Sequence, residues 1–275
     1  MFTSANHYEN FPVASVLLPA RLRFPVQAIY RFARSADDIA DEGDADAPTR
    51  LAQLAQYRDE LANLSQAIGS SGIFGDLARA VAQHKLPLQL FYDLLDAFAQ
   101  DVRQKRYASF LDVMDYCRRS ANPIGRLLLH LFGRTQPHLL ECSDRICSSL
   151  QLINFLQDVA IDYRKDRIYL PMDEIARFGV SEHQIASASV AGGWPSLMHY
   201  QIARARAMLN GGASLGHELP GRMGLELRMI VAGGRRILDK LEAVNGDIFK
   251  HRPVLKAWDW PIMFLRAALP FRSQS

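Results

Sequence analysis

Cysteine is scarce in this chain: Cys117, Cys142 and Cys147 are the only three in 275 residues. The number is odd and no pair is spaced as C-x-x-C, which argues against a disulfide framework or a zinc ribbon and fits a reducing cytosol. Long uncharged runs are missing as well. No stretch approaches the roughly 18 to 20 apolar residues that cross a bilayer, and the first residues show no basic-then-apolar signal pattern. A cytoplasmic protein, soluble or peripheral on the inner face of the membrane, is therefore expected. Strand alternation with hairpin turns is nearly absent. Neither a fixed-period repeat nor a Ser/Pro/Gly-rich linker divides the chain, which favours one domain over residues 1–275. Charge of one sign is weak too, since 32 Lys and Arg face 29 Asp and Glu for a net +3. That balance suits an anionic ligand or a membrane surface and argues against nucleic acid.

What the sequence does contain is helical period, and the expected fold is all-α. Helices are predicted at 9–18, 22–42, 48–67, 73–83, 87–103, 109–120, 123–133, 142–165, 196–211, 220–243 and 258–268. The breaks fall at Pro19, Gly43 with Pro48, Gly69 to Gly72, Pro87, Pro123, Gly133 with Pro137, Pro171 and Gly192-Gly193. The segment Asp166-Arg-Ile-Tyr-Leu-Pro171 reads as extended and leads into a short helix beginning at Met172.

Two acidic clusters interrupt this apolar pattern. They are Asp37-Asp38-Ile-Ala-Asp41-Glu42 and Asn154-Phe-Leu-Gln-Asp158-Val-Ala-Ile-Asp162. At 100° per residue, Tyr30, Arg34, Asp37 and Asp41 fall on one stripe, flanked by Ile29, Ala33, Ala36 and Ala40. Gln151, Asn154, Asp158 and Asp162 repeat that geometry beside Leu152, Phe155 and Val159. Ionised carboxylates on a buried face cost several kcal/mol unless metal ions or Arg and Lys partners neutralise them.

Two facing helices with oxygen ligands one turn apart suit a hard cation such as Mg²⁺, which is usually held by one or two carboxylates plus ligand phosphates. A metal-bridged diphosphate is a good leaving group, and Arg34, Lys165 and Arg167 can pair with its oxygens. A lone D-D-x-x-D before Gly43 would be an ordinary solvated helix end; two clusters at matched spacing make that weaker. An EF-hand is excluded by the missing alternate-position ligands, and a di-iron bundle by the missing Glu-x-x-His pairs. Asp44 and Asp46, beyond Gly43, read as solvated loop acids.

These residues resemble the squalene/phytoene synthase family, the head-to-head trans-prenyl synthases. The likeness rests on His7-Tyr-Glu-Asn-Phe11, on Ala28 to Asp41, and on Gln151 to Asp162 running into Arg167-Ile-Tyr-Leu-Pro171. It implies an isoprenoid-synthase fold with a deep apolar tunnel, three Mg²⁺ ions and allylic or cyclopropylcarbinyl diphosphate chemistry. On that basis Asp37, Asp38, Asp41, Asp158 and Asp162 would hold metal, assisted by Asn154 and Gln151. Arg34, Lys165, Arg167 and Tyr169 would contact diphosphate, Tyr30 would line the reaction chamber, and His7 and Phe11 would border the first site.

Two departures narrow the expectation. Where condensing members carry Val-Ala-Gly-x-Val-Gly, this chain has Ser120-Ala-Asn122-Pro123-Ile-Gly-Arg126, and Gln157 replaces the usual Arg before Asp158. The variant resembles the hydroxysqualene-forming branch of the bacterial hopanoid route, which converts presqualene diphosphate to hydroxysqualene without NADPH. No G-x-G-x-x-G follows a strand here, in keeping with that. Ser120 or Asn122 is a candidate to hold the quenching water, with helix capping by Asn122 as the plain alternative. Condensation of two prenyl diphosphates and a non-catalytic assembly role are the competing functions. The partner would be presqualene diphosphate, together with whichever synthase supplies it, and the aromatic and basic tail from Ala257 to Arg272 suggests peripheral membrane contact.

Overall fold

The computed structural model describes residues 19–268; the helix predicted over 9–18 lies outside them. Among the described residues there is no β-strand, only a single bridge between Arg106 and Ile168. The long helices follow the predicted order: α1 (Ala20–Asp41), α2 (Ala47–Ala62), α3 (Ile73–His84), α4 (Leu88–Arg103), α5 (Phe110–Ser120), α6 (Asn122–Leu131) and α7 (Pro137–Arg164). After α7 come the short α8 (Met172–Arg177) and α9 (Glu182–Ala186), then α10 (Trp194–Gly212), the short α11 (Leu215–Glu218), α12 (Gly221–Ala243) and α13 (Asp259–Ala268).

Local chemistry sets these boundaries. Gly43, at φ +74, takes the left-handed turn that ends α1, and Asp46 then caps α2 by accepting the Thr49 N–H at 2.9 Å. Asp46 is thus a capping residue of an exposed loop, as a solvated acid should be. Ser109 and Asp112 form a reciprocal capping box at the start of α5. Pro123 lies in the first turn of α6, so α5 closes at Ser120 and a new helix opens at once.

One prediction needs correction. The helix expected at 142–165 begins at Pro137 instead, because a proline in a first turn opens a helix as readily as it breaks one. The gain is more than a turn: α7 has 28 residues and extends about 42 Å at 1.5 Å per residue.

That helix is central. It packs most extensively on α10 and also touches α5, α6, α9, α11 and α12. Surrounded in this way, it buries Ile153, Leu156 and Val159 on several sides, and even its polar Ser148, Ser149 and Gln157 are enclosed. The second core gathers α1 to α4 around Phe32, whose ring meets Phe91 edge-on at 5.5 Å. Helix α6 joins the two cores, contributing Leu127 and Leu131 to one and Leu129 to the other.

Helices cross closely at the end of α10. A Cβ on Gly212 would lie 2.5 Å from the Cys142 carbonyl oxygen of α7, and backbone cannot yield as a side chain can. Gly212→Ala is expected to lower unfolding free energy by about 1–3 kcal/mol in denaturant titration, as overpacking against a rigid neighbour does.

Candidate active site

The last two turns of α1 carry the first acids. Arg34 holds Asp37 at 3.1 Å and Asp38 at 2.6 Å along its own helix. Asp41, one turn on, is held from across the molecule: Arg167 Nη1 donates to it at 2.6 Å and Lys165 Nζ donates to its other oxygen. Both cations come from the turn that ends α7. There the Arg167 N–H returns to the Asp162 carbonyl at 2.8 Å, and Asp166, at φ +59, swings the chain into the extended stretch that follows. The Ile168 N–H bonds the Lys105 carbonyl at 3.0 Å, which fixes this stretch against the end of α4. The two motifs therefore meet, as their matched spacing requires.

The second cluster is held by a residue that no motif announced. Arg252 grips Asp158 with two bonds, Nε to Oδ1 at 2.5 Å and Nη2 to Oδ2 at 3.1 Å. Gln157, next in the chain, is buried and donates to the Pro253 carbonyl at 2.5 Å. The Gln that replaces a family arginine thus anchors the segment whose own arginine reaches the adjacent acid. The guanidinium missing from position 157 is supplied from position 252.

Two acids remain undercompensated. Burial, then the Asp158 charge, pushes the Asp162 carboxyl up to about 8, against the pull of Arg167. Burial likewise raises Asp37 to about 6, with Arg34 opposing and Asp41, Asp101 and Asp38 adding to the rise. Asp41, by contrast, is lowered: burial acts upward on it, and Lys165 and Arg167 overcome that. Asp162 thus senses Asp41 of α1, and Asp37 senses Asp101 of α4, across elements.

Asp101 on α4 was not foreseen. It is buried, accepts the Tyr116 hydroxyl at 2.6 Å and the Tyr169 hydroxyl at 2.8 Å, and its carboxyl is raised by burial. Tyr169 stacks flat on Phe155, with ring centroids 3.9 Å apart. The Tyr169 hydroxyl is turned inward to Asp101, where it bridges α4 and the extended stretch. Tyr30 lies half-buried one turn before Arg34, and Gln151 and Asn154 are half-buried on the acid stripe of α7. His7 and Phe11 lie outside the described residues.

Asn122 also differs from its plainest expectation. Ala121 is the N-cap of α6 and no side chain caps it; the buried Asn122 instead accepts the Ser148 hydroxyl at 2.8 Å across to α7. Close by in sequence, the Ser120 hydroxyl is buried without a hydrogen-bond partner.

An apolar cavity of about 200 Å³ opens along the same helices, lined by Leu128 of α6, Cys147 and Leu150 of α7, Leu215 of α11, and Leu227 and Ile230 of α12. Cys147, Gln151, Asn154, Asp158 and Asp162 recur at 0, 4, 7, 11 and 15 residues along α7, so one face runs from cavity to acids. Among the described residues no three acids, histidines or cysteines converge as a ready metal cage. The donor set nonetheless fits a hard divalent cation. It consists of carboxylates and amides, and burial raises Asp37 and Asp162, whose ionised forms a bound cation would favour.

A pH effect follows. The folded chain keeps a proton on Asp162 that the unfolded chain releases above about pH 4, so the metal-free protein should lose stability as pH rises from about 4 to about 8. Asp162→Asn removes this titration. Melting temperatures in chelator should show the variant gaining a few degrees on the parent at pH 8 and less at pH 5; a constant offset would refute it.

Residues 4–259 match the family model for squalene/phytoene synthase. Hydroxysqualene synthase of Rhodopseudomonas palustris is 35% identical over 262 residues, covering 94% of this chain and 86% of that protein. The 15-cis-phytoene synthase of Synechococcus elongatus is 28% identical over 286 residues, covering 97% and 91%. The crystal structure of squalene synthase HpnC from Alicyclobacillus acidocaldarius superposes with a TM-score of 0.80 at 33% identity, covering 87% of this chain and 90% of that one. The all-α architecture is the isoprenoid-synthase fold. With Asp41 of α1 tied to Lys165 and Arg167 at the end of α7, and an apolar cavity along that same helix, the chain belongs to the squalene/phytoene synthase family.

Proposed function

We propose that this protein is a hydroxysqualene synthase, which ionises presqualene diphosphate, rearranges the cyclopropylcarbinyl cation and captures it with water. The observation that carries this is the Ser120–Arg126 segment. Its buried Asn122 is spent on no helix cap and its Ser120 hydroxyl has no protein partner, so polar groups stand a few residues along the chain from Ile124 and Gly125, which line the apolar cavity. The similarity to hydroxysqualene synthases supports the same choice.

The chain's own residues divide the work. Asp37, Asp38, Asp41, Asp158 and Asp162, with Asn154 and Gln151 assisting, would hold Mg²⁺, whose charge when bound stabilises the departing diphosphate. Arg34, Lys165 and Arg167 now neutralise acids; with cations on those acids they are released to pair with phosphate oxygens. Arg167 also keeps a buried Nε without a partner, a donor still to be used. The apolar cavity takes the hydrocarbon and excludes bulk water, which leaves capture to a water held in place. Asn122, with Oδ1 accepting from Ser148, can offer its amide N–H to that water, and the Ser120 oxygen can accept a hydrogen bond from it. The C–O bond to diphosphate breaks, a water oxygen bonds to the cationic carbon, and one water proton passes to the departed diphosphate.

Condensation of two prenyl diphosphates is the second reading. It draws support from Arg252, which restores the guanidinium that Gln157 lacks, and from the identity to phytoene synthases. An assembly role without catalysis is weakened by the presence of every expected acid.

Purified protein with Mg²⁺ and no NADPH, offered farnesyl, geranylgeranyl and presqualene diphosphates separately, should turn over only the last, to an alcohol. Products from farnesyl diphosphate alone would support condensation, and silence with all three the assembly role. Asp38→Ala should cut turnover by about 100-fold or more while the fold persists. Asn122→Ala should shift products from alcohol towards hydrocarbon; an unchanged alcohol yield would remove Asn122 from the capture step.

A further inference from the structure

Helix α13 inverts the usual arrangement of a surface helix. Asp259, Met263 and Ala267 recur every four residues and are buried against α12. The remainder of its surface carries Trp260, Pro261, Ile262, Phe264, Leu265 and Ala268, with Arg266 the one charge. A surface helix normally turns charged and polar residues outward. Here the exposed side is the apolar one: Leu265 is 67% exposed and Trp258, just before the helix, 61%. Of the seven large hydrophobic side chains exposed among the described residues, five fall between Trp258 and Leu265.

The helix is firmly mounted, so this exposure is not the fraying of a loose end. Asp259 is fully enclosed and takes hydrogen bonds from Arg236 at 2.6 Å, from the Lys256 N–H at 2.7 Å and from Lys240. At the far end Arg228 donates to the Ala267 carbonyl at 2.7 Å and to the Gly216 carbonyl at 2.7 Å. Arg228 of α12 thus links α13 to α11, and α11 and α12, with Leu219 between them, carry Leu215, Met223, Leu227 and Ile230 of the apolar cavity wall.

Positive charge rims the patch. Lys256 lies 4.9 Å from the Trp258 ring centroid. Arg266 shares the carboxylate of Asp239 with Arg206, at 3.1 and 2.9 Å, and Arg206 also pairs with Glu242 at 2.9 Å. Arg235, bonded to the neutral Asn210, is destabilised as a cation by burial and then by Arg266 and Arg206. Among the described residues neither Arg235 nor Lys256 pairs with a carboxylate, and an anionic surface would provide that counter-charge.

We propose that α13 docks this protein on an anionic phospholipid bilayer. The helix lies in the plane of the interface, its aromatic side seated among the acyl chains and its arginines and lysine among the phosphates. It does not cross: ten residues extend about 15 Å, half the hydrocarbon thickness, and no described helix is long and apolar enough to span a membrane. A second copy of the chain is the poorer occupant, since five partly exposed side chains amount to roughly 500 Å², below the ~800 Å² per partner of a stable interface. The attachment through Arg228 sets the cavity wall beside the lipid, so a C30 hydrocarbon can pass between cavity and bilayer without crossing water. Only this last consequence rests on the proposed substrate; the docking itself does not.

The test is co-sedimentation of the full chain with vesicles of phosphatidylglycerol and phosphatidylcholine, compared with phosphatidylcholine alone. Of the three tryptophans, Trp194 is enclosed and Trp258 and Trp260 lie on the patch, so emission reports docking directly. Binding to the anionic vesicles with a blue shift is expected. The double variant Phe264→Glu, Leu265→Glu keeps all three reporters and every active-site residue, and should bind about a hundredfold more weakly or less, as loss of two buried apolar side chains requires. Its turnover of detergent-dispersed presqualene diphosphate should match the parent. Absence of vesicle binding by the parent, or equal binding by the variant, overturns the proposal. So does a concentration-dependent dimer in sedimentation velocity that the variant abolishes, which would make a second copy the occupant. Vesicle binding with no turnover of any diphosphate would leave the docking intact and overturn the proposed reaction instead.

Discussion

The structure depends on a charge imbalance held at the meeting of α1 and α7. Carboxylates from both helices are drawn into one partly buried face, where their mutual repulsion and lost hydration disfavour the ionised form. Asp41 is stabilised because Lys165 and Arg167 arrive from the far end of α7, and Asp158 because Arg252 arrives from the segment after α12. Removing any of these cations would leave an acid exposed to its like-charged neighbours. The long-range ion pairs therefore fix how the two halves of the site face one another, although each alone contributes modestly to stability at such partial exposure. The same pairs make the site responsive. Cations that now serve as counterions become ligands for an anion once other positive charge takes over the acids.

Helix α7 converts this imbalance into a site with direction. Its 28 residues present one stripe on which Cys147 and Gln151 give way to Asn154, Asp158 and Asp162. The first part of the stripe meets the cavity between α6 and α12, and at the second Asp162 senses the charge of Asp41 on α1. A ligand with an apolar body and an anionic head is matched along its length by a single rigid element. Rigid placement matters because electrostatic stabilisation is greatest where the groups need no reorganisation as charge develops. The short crossing at Gly212, where α10 leaves no room for a Cβ, holds α7 from the opposite side.

Much of this was legible in the sequence, and the exceptions share a cause. Periodicity exposed the long helices, and the acid stripes were evident because each repeats over consecutive turns of one helix. Residues that act through a distant partner were not. Asp101 is one acid in an apolar stretch, and its partners Tyr116 and Tyr169 lie in other elements. Arg252 sits in an irregular segment with no period to mark it. The start of α7 was missed because Glu141-Cys142-Ser143 dilutes the apolar pattern and Pro137 reads equally as a stop or a start. The short α9 did leave a signal, the Ser181-x-x-Gln184 capping box, which is local and could have been read.

Gln157 shows why a motif departure has to be judged in three dimensions. In sequence, an arginine is lost beside the second acid cluster, and the natural inference is a site with one cation fewer. In the fold, the neutral side chain bonds the Pro253 carbonyl and thereby holds Arg252 against Asp158, so charge at the cluster is preserved while its origin changes. Selectivity between one diphosphate and two cannot then follow from the count of cations near Asp158. Under the proposed reaction it would come from features that differ in kind: the polar pair Asn122–Ser148 and the unpartnered Ser120 hydroxyl. An apolar wall protects a carbocation by excluding water, whereas a wall with one fixed donor and one free hydroxyl admits a single water at a chosen place. The difference between making a hydrocarbon and making an alcohol would then reside in two or three polar atoms on α5, α6 and α7, with the acid clusters that start the reaction left the same.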